Sequence, residues 1–151
     1  LALNGDGTTA GFLKVIKNFS GTKAENLAHY YAGSIYLKKG DFANAIKHLE
    51  DFSTGATQIQ SAAWRMLGDA YMGTDKKDKA AAIYEKAGKL NDKDEFSSSE
   101  NLFRAALAYE VIGNKEKAIE LFKMIKEKYP KSNSASLVDK YLGRLGVSSN
   151  E

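Results

Sequence analysis

Small and aromatic residues return along this chain at constant separations. Gly33, Tyr36 and Ala45 form one set, Gly68, Tyr71 and Ala80 a second, and Ala106, Tyr109 and Ala118 a third. In each, the small residue stands three before the tyrosine and twelve before the alanine. Four residues after each alanine comes a large apolar side chain: Leu49, Tyr84 or Phe122. Two antiparallel helices account for every choice. Where helix axes approach to about 8–10 Å a side chain must be nearly absent, so Gly33, Gly68 and Ala106 mark contact points on the first helix of each pair, answered by the alanines of the second. The tyrosines lie one turn on and fill the wider space between layers. Ala118, Phe122, Ile125 and Tyr129 form an amphipathic stripe with lysines and glutamates between them, ending at Pro130. Lys39-Gly40-Asp41, Gly73-Thr74-Asp75 and Gly113-Asn114-Lys115 read as the turns inside three helical hairpins.

The ends belong to the same array. Residues 11–20 align with 121–130, so Phe12, Val15 and Phe19 correspond to Phe122, Ile125 and Tyr129, and the chain opens with half a repeat at 8–20. Leu137, Tyr141 and Gly143 echo Leu27, Tyr31 and Gly33, which predicts a closing helix over 134–145. Three repeats fill 26–59, 61–94 and 99–132, all within one domain. From alanine to alanine the copies are 35 and 38 residues apart, and the excess is assigned to inter-repeat loops, most of all around Lys93 to Ser98. The predicted fold is all-α: a right-handed superhelical stack of antiparallel helical hairpins, an α-solenoid.

The middle copy carries Trp64, Leu67, Gly68, Tyr71, Ala80, Tyr84 and Ala87; the third carries Tyr109, Gly113, Ala118, Phe122 and Pro130, with Ala105-Ala106 in place of Leu-Gly. The first has Gly33, Tyr36, Gly40, Phe42 and Ala45 but lacks the Trp. In these residues the chain resembles the tetratricopeptide repeat family, whose period is about 34 residues. The resemblance implies protein or peptide binding in a concave groove lined by the first helices: Leu27, Tyr30, Ser34 and Leu37, then Arg65, Met66, Asp69 and Met72, then Phe103, Arg104 and Leu107. Ala62 and Glu100 fall at groove-facing positions of the same helices. Adaptable methionines and aromatic rings suit a helix or an extended segment. A family subgroup grips chaperone C-termini through a carboxylate clamp, but at those positions this chain has Tyr30, Ser34, Met66, Glu100 and Arg104. Only Arg104 fits, and Glu100 would repel a carboxylate.

The lysine-rich, cysteine-free style and degenerate repeats are also similar to bacterial cell-envelope members, including single-span proteins that accompany the Sec translocon. That resemblance implies a non-enzymatic scaffold in the periplasm or envelope rather than the cytoplasm. The alternative is a non-catalytic repeat module of a larger enzyme or regulator. The chain starts at Leu1 in an apolar run, so the expected contact with a membrane is through an anchor further upstream. The next hairpin can cover only one side of this helix, so some of Leu1, Leu3, Phe12, Leu13 and Ile16 are expected to stay uncovered, which predicts a docking helix or self-association at that end.

Charge and candidate chemistry narrow the picture further. A formal net charge of +3 from 22 basic and 19 acidic residues, well mixed, is no basic stripe, so nucleic acid is not an expected partner. Without cysteine there is no disulfide, thiolate ligand or thiol nucleophile. His29 and His48 are the two imidazoles, on different helices of the first repeat, with no cluster to complete a metal shell. Gly5 to Ala10 matches a dinucleotide fingerprint in letters, but no strand precedes it; it reads as a turn into a helix capped by Thr8 or Thr9. Asn4-Gly5-Asp6-Gly7 and Asp92-Lys93-Asp94-Glu95 misplace the later ligands of a calcium loop and read as polar turns. Asn18-Phe19-Ser20 is a glycosylation sequon that matters only in a eukaryotic secretory route. No cofactor or catalytic residue is expected.

Overall fold

Helix starts are written in the sequence as side-chain caps. Thr22, Asp41, Asp94, Asn114 and Ser132 each precede a helix and accept the backbone N–H three residues on, from Glu25, Asn44, Ser97, Lys117 and Ala135. In the computed structural model, which describes residues 6–148, eight α-helices and no strand occur among the described residues. They are α1 (Asp6–Asn18), α2 (Lys23–Lys38), α3 (Phe42–Asp51), α4 (Thr57–Gly73), α5 (Lys77–Leu90), α6 (Glu95–Val111), α7 (Lys115–Lys128) and α8 (Asn133–Arg144). Leu1, Leu3, Asn4 and Gly5 lie outside the described residues. Thr8 and Thr9 are inside α1 rather than at its cap.

The chain divides into two compact units, Leu1–Asp75 and Lys76–Glu151. In the first, α1 packs on α2, α2 on α3 and α4, and α3 on α4. The close approach of α2 and α3 occurs at Gly33, where an added Cβ would stand 2.6 Å from Cγ of Leu49. What rests on Gly33 is thus the leucine one turn beyond Ala45. Gly73 differs from its expected part as well. It ends α4 against the ring of Phe42, 2.6 Å from where its Cβ would be, so it is a packing glycine. The left-handed turn falls on Asp75, φ 59°, where the other two hairpin turns place Gly40 (φ 76°) and Gly113 (φ 84°). Asp tolerates that conformation less well than Gly.

In the second unit α5 packs on α6, α6 on α7 and α8, and α7 on α8. Gly88 brings α5 and α6 together: its Cβ would meet Leu102 Cγ at 2.7 Å. Ser98 donates to the Gly88 carbonyl at 2.6 Å, and the Tyr129 hydroxyl, 2.8 Å from Ser98 Oγ, donates to the Asp92 carbonyl at 2.9 Å. Ala118, Phe122, Ile125 and Tyr129, the stripe read from the sequence, are all buried. The extra residues of the third repeat are not in a loop. Glu95 to Ser98 form the first turn of α6, and α5 runs ten residues past Ala80 where α3 runs six past Ala45. Longer apolar coverage of α5 by Leu102 and its neighbours favours continuing the helix.

The repeat tyrosines do more than fill space. Tyr71 on α4 donates its hydroxyl to Glu50 on α3, and Tyr109 on α6 donates to Glu85 on α5 at 2.6 Å. Each acceptor stands five residues after its repeat alanine. Burial, then the carboxylate bond, pushes both phenols above their ordinary range. Burial pushes the Glu85 carboxyl up, but the bonds from Lys89, Tyr109 and Lys117 outweigh it and hold the group below its usual value. Lys117 lies 3.0 Å from Glu85.

Two predictions follow from caps and carboxylates. Lys76, at the N-cap of α5, has the same backbone shape as Asp41 and Asn114 but makes no side-chain cap bond. Lys76→Asn should stabilise the protein by about 1 kcal/mol, read as a raised melting temperature. Because its folded pKa is depressed, Glu85 contributes stability in full above its unfolded value of about 4.3, lost as pH falls through the folded value. Glu85→Gln should cost about 1–2 kcal/mol at neutral pH and flatten the acid limb of a urea-denaturation series.

Candidate interaction surface

Along α2 buried and solvent-accessible residues alternate with the helical turn. Ala28, His29, Ala32 and Gly33 are buried, whereas Leu27 is exposed and Tyr30, Ser34 and Leu37 are half-buried. On α4, Leu67, Gly68, Ala70 and Tyr71 are buried, and Arg65, Met66, Asp69 and Met72 are half-buried. Because α2 and α4 touch within the first unit, these eight positions belong to neighbouring helices. The Tyr30 ring is held by Phe52 at 5.1 Å and by the edge of Tyr31 at 5.6 Å, which fixes its place beside Leu27. Such a preset aromatic loses little freedom on binding.

In the second unit Phe103, Arg104 and Leu107 are half-buried on α6. The Phe103 ring is taken up by its own chain. It meets Phe122 edge-on at 5.7 Å and Tyr141 at 5.2 Å, and Phe122 stacks on Tyr141 at 5.5 Å. Around this cluster Ser134 donates to Glu100 at 3.1 Å, Arg144 donates to Glu110 at 2.7 Å, and the Arg144 guanidinium lies 4.6 Å above the Tyr141 ring. The closing helix α8 therefore lies along α6, and Glu100 and Phe103 serve that contact. Gly143, the echo of Gly33, faces open space.

At the N-terminal end Phe12 stacks on Tyr31 at 5.3 Å, and Ile16 is half-buried. Leu13, Phe19, Leu27 and Tyr31 remain exposed, Phe19 most of all at 55%. The sequence reading placed uncovered apolar side chains there but did not single out Phe19 and Tyr31, which it had aligned with buried or packed partners. A pocket of about 150 Å³ beside α7 and α8, lined by Lys123, Lys126, Glu127, Asp139, Leu142, Val147 and Ser148, also went unread. Its Lys126 is paired with Asp139 at 2.7 Å.

The two histidines are brought together. His29 Nδ1 and His48 Nδ1 lie 3.0 Å apart, both rings are buried, and the Tyr36 ring stacks on His48 at 5.5 Å and 3°. Burial, followed by the charges of His29 and Lys47, holds the His48 imidazole below its ordinary pKa. Two nitrogens are half of a tetrahedral shell, and no group of three or more metal-ligating side chains occurs among the described residues. The distance is that of a hydrogen bond. Spacing along the chain gave no sign of this pair, because it depends on which turns of α2 and α3 face each other. Among the described residues no helix is long and apolar enough to cross a membrane.

Comparison with known proteins agrees with this architecture. Two family models described as tetratricopeptide repeat match, one over residues 32–95 and the other over 100–132. No curated protein sequence gives a match. Among solved structures, the crystal structure of MamA is similar: 23% identical, TM-score 0.69, with 93% of this chain and 80% of that chain covered. At that identity the likeness speaks for the fold alone. The recurrent small-residue contacts, the hairpins and the two family matches agree, and the chain is built of tetratricopeptide repeats.

Proposed function

We propose that this chain is a non-enzymatic scaffold or adaptor that holds a peptide or helix of a partner protein on the outward face of its first helices. Tetratricopeptide repeats are interaction modules without catalytic machinery of their own. The observation that carries the reading is the pairing of α2 and α4. Their outward positions Leu27, Tyr30, Ser34, Leu37, Arg65, Met66, Asp69 and Met72 all keep solvent access, while Ala28, His29, Ala32 and Gly33 on α2 and Leu67, Gly68, Ala70 and Tyr71 on α4 are buried. Within the second unit Arg104 and Leu107 are the half-buried counterparts on α6, whereas the Phe103 ring is packed on Phe122 and Tyr141. The lining is mostly apolar with two methionines, which suits an amphipathic helix or extended segment rather than a bare carboxylate. The setting we assign is protein export or assembly at the bacterial envelope, supported by the lysine-rich, cysteine-free composition and degenerate repeats. Self-association through the exposed Leu13, Phe19 and Tyr31 end belongs to the same reading.

The test is a pair of charge insertions. Leu27→Glu combined with Met72→Glu should weaken capture of a partner isolated from the native host at least about tenfold, by calorimetry, because each buries a carboxylate on binding. Helicity and melting temperature should stay unchanged. Equal affinity for the variant would move the binding surface elsewhere. Phe103→Ala behaves differently, since its ring is packed on Phe122 and Tyr141. It should lower stability by about 3 kcal/mol in a chemical melt, whatever it does to binding.

A further inference from the structure

The chain has two histidines, and they touch. No other side-chain type titrates unperturbed between about pH 5 and 8, so the response of this protein to pH in that range is concentrated at one buried contact between α2 and α3.

The contact needs one ring to donate and the other to accept. With 3.0 Å between the two Nδ1 atoms, one carries a proton and the other must offer a lone pair. Glu25 lies 3.7 Å from His29 Nε2. An N–H at His29 Nε2 would face that carboxylate, and the bond between the two Nδ1 atoms persists as long as one ring donates and the other accepts. One charge on the pair is compatible with the bond. A second, on His48, sets two N–H groups and two positive charges against each other in a buried space.

The groups facing the pair support this order. His29 and Lys47 oppose a proton on His48, and Asp51 favours it less strongly. Tyr36 covers the His48 ring from α2. On the α4 side, the acid of α3 that reaches across, Glu50, is taken by the Tyr71 hydroxyl, and Arg65 and Asp69 are half-buried. From α1, Lys14 and Lys17 are exposed to solvent.

The geometry points to a proton-sensitive latch: the His29–His48 contact holds the α2–α3 hairpin closed near neutral pH, and a second proton on the pair opens it. The sign follows from the lowered His48 value. The unfolded chain binds that proton at about 6.5 and the folded chain only further down, so the hairpin loses stability steadily as pH falls through that window. Opening would also move Leu27 and Tyr30 on α2. That consequence rests on the proposed function; the latch itself does not, and partner binding plays no part in its test.

The full chain, labelled with ¹⁵N, answers the question at the imidazoles directly. At about pH 7.5 one ring should show a proton on Nδ1 and the other on Nε2, with His48 gaining its second proton only below about 6.5. Amide exchange, corrected for its intrinsic pH dependence, should accelerate at least about tenfold in α2 and α3 between about pH 7.5 and 5.5, while α6 to α8 stay unchanged. His48→Phe, which keeps a ring under Tyr36, should abolish that difference. Independent titration of both rings near about 6.5, or α2 and α3 protection that does not change with pH, would overturn the latch. Loss of protection on adding EDTA at neutral pH would overturn it too, by showing a bound metal in place of the shared proton. If the phenylalanine variant does not fold, the tautomers and exchange of the unaltered chain still decide.

Discussion

Helices can pack this closely only where a side chain is withheld. Gly33 receives Leu49, Gly88 receives Leu102 and Gly73 receives Phe42, each at a distance that a methyl group would violate. A glycine inside a helix costs about 1 kcal/mol relative to alanine, so each must be offset by the contact it allows. That trade sets the rotation of the first helices. With Gly33 turned toward α3, Ala28, His29 and Ala32 follow it inward, and Leu27, Tyr30, Ser34 and Leu37 are left on the opposite side. Which side chains of α2 reach solvent is thus decided from inside the hairpin.

The small-residue, tyrosine and alanine offsets were legible because packing at fixed geometry demands residue types at fixed spacing. The hairpins and the amphipathic stripe of α7 could be read that way. What could not be read depended on which neighbour filled a space. Gly73 carries the composition of a turn, and only the Phe42 ring lying where its Cβ would stand marks it as a packing position. The three additional residues before Ala118 could lengthen a loop or a helix with equal ease, and the contact of α5 with α6 decides for the helix. Phe103 stood at a groove position by spacing, but α8 arrives to use it, and no offset within α6 announces that. The histidines, nineteen residues apart, were recognised as a pair of residues and not as a contact.

Local and tertiary signals mostly agree in this chain, and where they part the turn at residues 74–76 shows it. Gly40 and Gly113 take left-handed backbone ahead of capping Asp41 and Asn114. The same place in the middle copy has Asp75 and Lys76, which supply neither the permissive backbone nor the cap. That copy nonetheless keeps the fullest set of packing residues, Trp64, Leu67, Gly68, Tyr71, Ala80, Tyr84 and Ala87. Packing has been retained there while turn chemistry has lapsed.

The bonds from Tyr71 to Glu50 and from Tyr109 to Glu85 make each repeat depend on the identity of its predecessor. The third copy ends this succession. Five residues after Ala118 stands Lys123, whose ammonium offers protons and no lone pair. An array lengthened by duplicating residues 61–94 behind residue 132 would leave an incoming tyrosine hydroxyl no carboxylate for its proton, and only an ammonium that could donate to its oxygen. The repeats are alike in shape but directional in grammar, and recombination among them would have to respect the order in which donors and acceptors were laid down.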